Sequence, residues 1–161
     1  MMQSLTEQTT ASTFEVMETM FFLPVEQNPR ISIEDSGLCD PEEVRAAGIS
    51  FSGTVSSGRI RIFIPEKLLC MMAENLMGLN TEEVTSEDTA GTLTEALNMI
   101  AGNALRKIDD RFSSHLGLPE SIDPSELKNT RNPLIFETIG GRMAIETTLH
   151  QTGGTGFSNE A

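Results

Sequence analysis

The stretch TLTEALNMIAGNAL, residues 92–105, decides how this chain is read. Wound at roughly 100° per residue, it makes an amphipathic helix. Leu93, Leu97, Ile100, Ala104 and Ile108 cluster on one side, and Ala101, Leu105 and Phe112 widen that side. Such a face has to pack on a sheet. The opposite stripe reads Thr92, Glu95, Asn98, Gly102, Arg106 and Asp109. Glu95 and Asn98 stand three residues apart, and Asn98 and Gly102 four apart, so they are neighbours on the helix surface. Glycine inside a helix costs about 1 kcal/mol relative to alanine. Its presence at 102 points either to close approach of another surface or to contact with an internal strand. Met99 lies at the margin of the same face and is a candidate contact residue. A solvated helix face also commonly carries Glu and Asn, so a lone Glu-x-x-Asn is a weak signal.

Outward from this helix the chain alternates helical and extended patterns. Ser86, followed by Glu87 and Asp88, is a plausible N-cap, and the helix is expected to reach about Phe112. Residues 113–132, with Pro119 and Pro124, read as a loop, and 134–149 as a hairpin turning at Gly140-Gly141. Upstream, a helix is expected over 13–23, stopped by Pro24, then an irregular connector over 25–47. Ile49, Phe51 and Val55 form one expected strand. Ile60, Ile62 and Ile64, alternating with Arg59, Arg61 and Phe63, form a second after a turn at Ser56-Ser57-Gly58. This hairpin is read as having one buried face. Pro65 opens a helix to about Met77, ended by Gly78. Its Met71, Met72, Leu76 and Met77 are assigned to the core. Residues 1–12 and 151–161 are read as flexible tails around one domain, 13–150.

The order helix, connector, hairpin occurs twice, which suggests a weak internal repeat. Phe14–Met20 lies over Thr94–Ile100, with Glu15 on Glu95 and Glu18 on Asn98. Chance similarity between two amphipathic helices would give the same appearance.

Composition sets limits on function. A chain of 161 residues is one domain with room for a real core. Its net charge of −13 and pI near 4.4 argue against nucleic acid and anionic membranes, which would repel it. Cys39 and Cys70 have no metal-ligand neighbours, and His115 and His150 are the only histidines, so no metal site is expected. The thiols are read as reduced, buried small hydrophobes. No apolar run approaches bilayer length, and the start lacks the basic and apolar regions of a signal peptide. The expectation is a soluble, cytoplasmic protein.

The longer string around Glu95 resembles the signature helix of the CheC/CheX/FliY family, phosphatases of the chemotaxis response regulator CheY, and is most similar to its CheX-like members. The signature is a Glu, an Asn three residues later and a Gly four further on, matched by Glu95, Asn98 and Gly102. The duplication and the Leu116-Gly117-Leu118-Pro119 segment add to the resemblance, which covers roughly residues 13–150. Family members often carry Asp or Ser four residues before the Glu. Here that position is Gly91, with Thr92 beside it.

The resemblance implies an α+β fold of duplicated helix–hairpin units, an antiparallel sheet with the long helices on one face. It implies hydrolysis of the aspartyl phosphate of a CheY-like receiver domain, with Glu95 and Asn98 catalytic and Thr92, Met99 and Gly102 touching the partner. No cofactor is expected in this chain; the Mg²⁺ belongs to the partner. On the first helix Glu18 replaces the amide and Phe22 falls where glycine would be, so no second site is expected there. CheX-like members can dimerise through sheet edges, and strands 59–64 and 143–149 are the candidates for a homodimer. Two other readings are a non-catalytic CheC-like scaffold that docks a receiver domain and a purely structural adaptor.

Overall fold

The computed structural model describes residues 2–53, 56–108 and 115–151. Alternating side chains build its sheet. In β3 (Ser56–Pro65), Ile60, Ile62 and Ile64 face one way and Arg61 and Phe63 the other, and all five are buried. The strand therefore has two covered faces, not the single one expected. β3 pairs with β2 (Val44–Ser52) on one side and β6 (Gly141–Gln151) on the other. β5 (Leu134–Thr138) pairs with β6, and two short strands, β1 (Glu26–Gln27) and β4 (Glu120–Ile122), close the edges. The six strands, all antiparallel, run in the order β1-β5-β6-β3-β2-β4.

That order is unchanged when β1, β2 and β3 are exchanged for β4, β5 and β6, so the expected duplication is built into the sheet. Each short strand pairs with the hairpin of the other half, β1 on β5 and β4 on β2. The registers agree: Ile49 opposes Ile60 as Leu134 opposes Ile145, and Phe51 opposes Gly58 as Phe136 opposes Met143. Under this equivalence Arg61 corresponds to Glu146, and the two oppose each other across β3 and β6. The pseudo-two-fold axis therefore passes through this pair. Arg61 donates from Nε to Glu146 Oε1 at 2.6 Å, and from Nη2 to the same oxygen, and its Nη1 reaches Glu126 at 2.7 Å.

One face of the sheet carries the main core. Ala47, Ile49, Phe51, Ile60, Ile62, Ile64, Phe136, Met143 and Ile145 meet the apolar sides of three helices. These are α1 (Met2–Thr19), α2 (Glu66–Met77) and α3 (Ser86–Ile108). Fully burying a side chain the size of Ile or Phe is worth about 1.5–3 kcal/mol. The other face carries a smaller core, Val44, Ala46, Phe63, Ile135 and Ala144, roofed by Leu38 and Leu127 from the connectors. The second connector includes a 3₁₀ helix, Pro124–Asn129, rather than plain loop.

Several boundaries differ from the sequence reading for physical reasons. α1 starts at Met2, so residues 2–12 are helix and not a loose tail. Leu5, Thr9 and Ser12 on it are buried. The helix stops at Thr19, before Pro24, because Phe22 takes a left-handed φ of 56° and turns Leu23 N–H back onto the Met17 carbonyl at 2.9 Å. The expected turn at 56–58 is strand. Gly58 is needed there because a Cβ would sit 2.3 Å from the Thr148 carbonyl and 2.6 Å from the Phe51 ring. Strand 59–64 is flanked on both sides and is no edge; β6 beyond Ile145 pairs only with β3. Both cysteines are free but half-buried, not fully buried. Val55, the helix extension through Asp109 to Phe112, and the tail from 152 lie outside the described residues.

Arg61 and Glu146 are 9% and 5% exposed, so removing one leaves the other charged and buried. Arg61→Met is expected to lower unfolding free energy by about 3 kcal/mol in urea titration, and the double variant Arg61→Met/Glu146→Leu to recover most of that loss.

Candidate functional site

α3 is positioned by its own first turn and by its neighbours. The N-cap is Thr85, one residue before the expected Ser86. Thr85 N–H donates to the Asp88 carboxylate at 3.0 Å, and Asp88 N–H donates to Thr85 Oγ1 at 3.1 Å. This reciprocal pair satisfies two of the helix's free N–H groups. Thr89 Oγ1 donates to Glu66 Oε2 at 2.8 Å, and Glu66 Oε1 accepts from Arg45 Nε at 2.5 Å. The start of α3 is thus tied to α2 and β2. Farther along, Ser12 Oγ of α1 donates to the Ile100 carbonyl at 2.9 Å. Small buried residues, Thr9, Ser12 and Thr13 on α1 and Ala96, Ala101 and Ala104 on α3, let these two helices lie close.

With one side so held, the other side of α3 is fixed in space. Glu95 is exposed and Asn98 is half-buried. Among the described residues neither carboxylate nor amide has a hydrogen-bond or ion-pair partner, although both stand on a rigid helix. Gly102 follows one turn after Asn98. Among the described residues, a Cβ built there would meet only the Arg106 guanidinium, at 3.9 Å. No internal strand needs the glycine, which removes the packing explanation for it. The structure therefore brings Glu95, Asn98 and Gly102 together on one open strip.

The other two expected contact residues behave differently. Thr92 is buried, and its hydroxyl donates to the Asp88 carbonyl at 2.8 Å, so it sits on the margin of the core and not on the open stripe. Met99 is half-buried and packs partly against the main core. On α1, Glu15 and Glu18 are exposed, and Glu15 meets Lys107 at 3.5 Å. An exposed pair of this kind contributes little. Phe22 is exposed but lies past the end of the helix, so it does not stand on the α1 surface as the repeat suggested.

The sequence reading missed a cavity of about 390 Å³ next to Glu95. It opens between the ends of α1 and α2 and the first turns of α3, lined by Met20, Leu76, Met77, Gly91, Thr92 and Glu95. Met77, assigned to the core from its helix pattern, is 48% exposed, and Met20 is 40% exposed. The available signal was Gly91: nothing lies within 4 Å of a Cβ built there, so the glycine leaves space open beside Glu95. Among the described residues no cluster of three metal-ligating side chains occurs, and no helix is long and apolar enough to cross a membrane.

A duplicated helix–hairpin domain presenting a bare Glu-x-x-Asn-x-x-x-Gly strip defines a CheC-like α+β protein. The family model for the chemotaxis phosphatase CheX matches residues 45–137, and the chain belongs to that family. Among solved structures it is similar to the chemotaxis protein CheX of Vibrio vulnificus, at 19% identity and a TM-score of 0.69 over 91% of this chain and 96% of that one. It is also similar to CheX of Desulfovibrio desulfuricans, at 15% identity and a TM-score of 0.65 over 91% and 99%. A third is the CheX of the CheX–CheY–BeF₃–Mg²⁺ complex from Borrelia burgdorferi, at 15% identity and a TM-score of 0.61 over 89% and 96%. At these identities the likeness is one of fold. No curated protein sequence matches the chain.

Because no neighbour crowds position 102, Gly102→Ala is expected to raise stability by about 1 kcal/mol, read as a higher melting temperature. A lower melting temperature would mean that the glycine serves the fold.

Proposed function

We propose that this protein accelerates hydrolysis of the aspartyl phosphate of a CheY-like receiver domain. One observation carries the reading: among the described residues Glu95 and Asn98 have no partner, and they stand on a helix held by the sheet, α1 and α2, beside a glycine that no described neighbour crowds. Membership of the CheX family supports it, as does the fold shared with the CheX of the CheY complex.

Phosphoryl transfer asks mainly for positioning and charge stabilisation. An acyl phosphate on the receiver's aspartate is hydrolysed when water attacks phosphorus in line with the leaving carboxylate oxygen. The P–O bond to the aspartate breaks, and inorganic phosphate leaves. Asn98 suits the placing of that water because its amide offers both a donor and an acceptor. Holding water in a near-attack position removes an orientational entropy term. Glu95 docks the receiver by pairing with its active-site lysine, and the charge-assisted bond sets the register that places Asn98 over the phosphoryl group. Gly102 lets the helix lie close. The receiver supplies Mg²⁺ and lysine, and these offset the repulsion between an acidic protein and the phosphoryl anion.

The division of labour separates this from a scaffold that only docks a receiver, which has no use for Asn98. Asn98→Ala is expected to slow receiver dephosphorylation by on the order of 10²-fold or more while leaving receiver affinity near wild type. Glu95→Ala is expected to weaken affinity and rate together. Unchanged acceleration with Asn98→Ala contradicts the mechanism. Acceleration absent from the wild-type chain, with binding retained, favours the scaffold.

A further inference from the structure

Apart from Glu95, the residues lining the methionine-rich cavity have no part in the mechanism above. Met20, Leu76 and Met77 line it, and Gly91 leaves space open beside them. Glu87 and Asp88 join Glu95 at its lining, and among the described residues no basic side chain lines it. Asp88 is engaged by the Thr85 N–H, whereas Glu87 has no partner among the described residues.

Position and size say what covers it. Gly91 and Asn98 are seven helical residues apart, a rise of about 10 Å. Even a transient interface of roughly 600 Å² per partner has a radius of about 14 Å. A receiver whose interface is centred on Asn98 therefore covers the cavity. We propose that the cavity is the second contact of that receiver and seats one of its lysine or arginine side chains. The aliphatic stem lies on Met20, Leu76 and Met77, and the charged head meets Glu87. Long basic side chains suit such a place because they bury the stem while the head stays at the acidic rim. Flexible, polarisable methionines adapt to the shape of the stem. This inference rests on the receiver being the partner of the α3 face. It assigns a specificity contact to residues that touch no reacting atom.

Position 91 allows the test. A Cβ added there meets no neighbour within 4 Å and replaces a helix-interior glycine, so Gly91→Leu projects into the cavity without a backbone clash. The probe is a CheY-like receiver domain loaded with beryllofluoride and Mg²⁺, titrated calorimetrically against wild type, Gly91→Leu and Glu87→Lys. Gly91→Leu is expected to melt no lower than wild type yet bind about tenfold more weakly. Glu87→Lys is expected to weaken binding several-fold, with the loss shrinking as salt is raised. Wild-type affinity in Gly91→Leu overturns the cavity as a contact. Loss with Gly91→Leu but not with Glu87→Lys overturns the basic occupant in favour of an apolar one. No binding by the wild-type chain brings down the reading of the whole α3 face, a failure distinct from either of these.

Discussion

The pairing of β3 with β6 holds this molecule together. It joins the two halves at their shared axis, and each half then completes the other by adding its short strand to the opposite hairpin. At the axis a perfect duplication would place identical residues against each other, and a charged residue there would face its own like charge. Arg61 and Glu146 resolve this with opposite charges at equivalent positions, and Glu126 from the connector takes the remaining guanidinium nitrogen. Phe63, beneath the guanidinium at 6.0 Å, completes its surroundings.

From that centre the helices are placed by what they bury. α3 lies against the sheet, against α1 through small residues and the Ser12–Ile100 hydrogen bond, and against α2 through Thr89 and Glu66. A helix held on so many sides presents its remaining face with little freedom, and placing a water molecule on a phosphorus atom needs that rigidity. The symmetric frame offers a second such face on α1, but there a carboxylate stands where the amide should be, and Glu15 already faces Lys107. Duplication supplied two frames, and the divergence of a few side chains leaves the pair on α3 alone.

Much of this was legible in the sequence because α2, α3 and the two hairpins have long, strongly periodic patterns. The Glu95, Asn98 and Gly102 strip followed from helical spacing. What escaped was of three kinds. The start of α1 looks like a polar tail, yet Thr9, Ser12 and Thr13 are buried, with Thr13 donating to the Thr9 carbonyl at 2.7 Å and Ser12 to the Ile100 carbonyl, while the Thr9 hydroxyl has no partner among the described residues. Thr92 misled in the same way, since a threonine bonded to its own helix behaves as an apolar residue. β1 and β4, of two and three residues, are too short to show any period, and they exist only because another half's hairpin offers an edge. The cavity beside Glu95 is assembled from three helix ends distant in sequence, which no local pattern encodes.

The central claim is that this chain directs water, not one of its own side chains, at the phosphoryl group. A single-turnover experiment with a radiophosphorylated CheY-like receiver and this protein in excess tests it directly. The account predicts faster loss of label from the receiver, with all of it recovered as inorganic phosphate and none on this chain. Label transferred to this protein, or a decay no faster than that of the receiver alone, would contradict it.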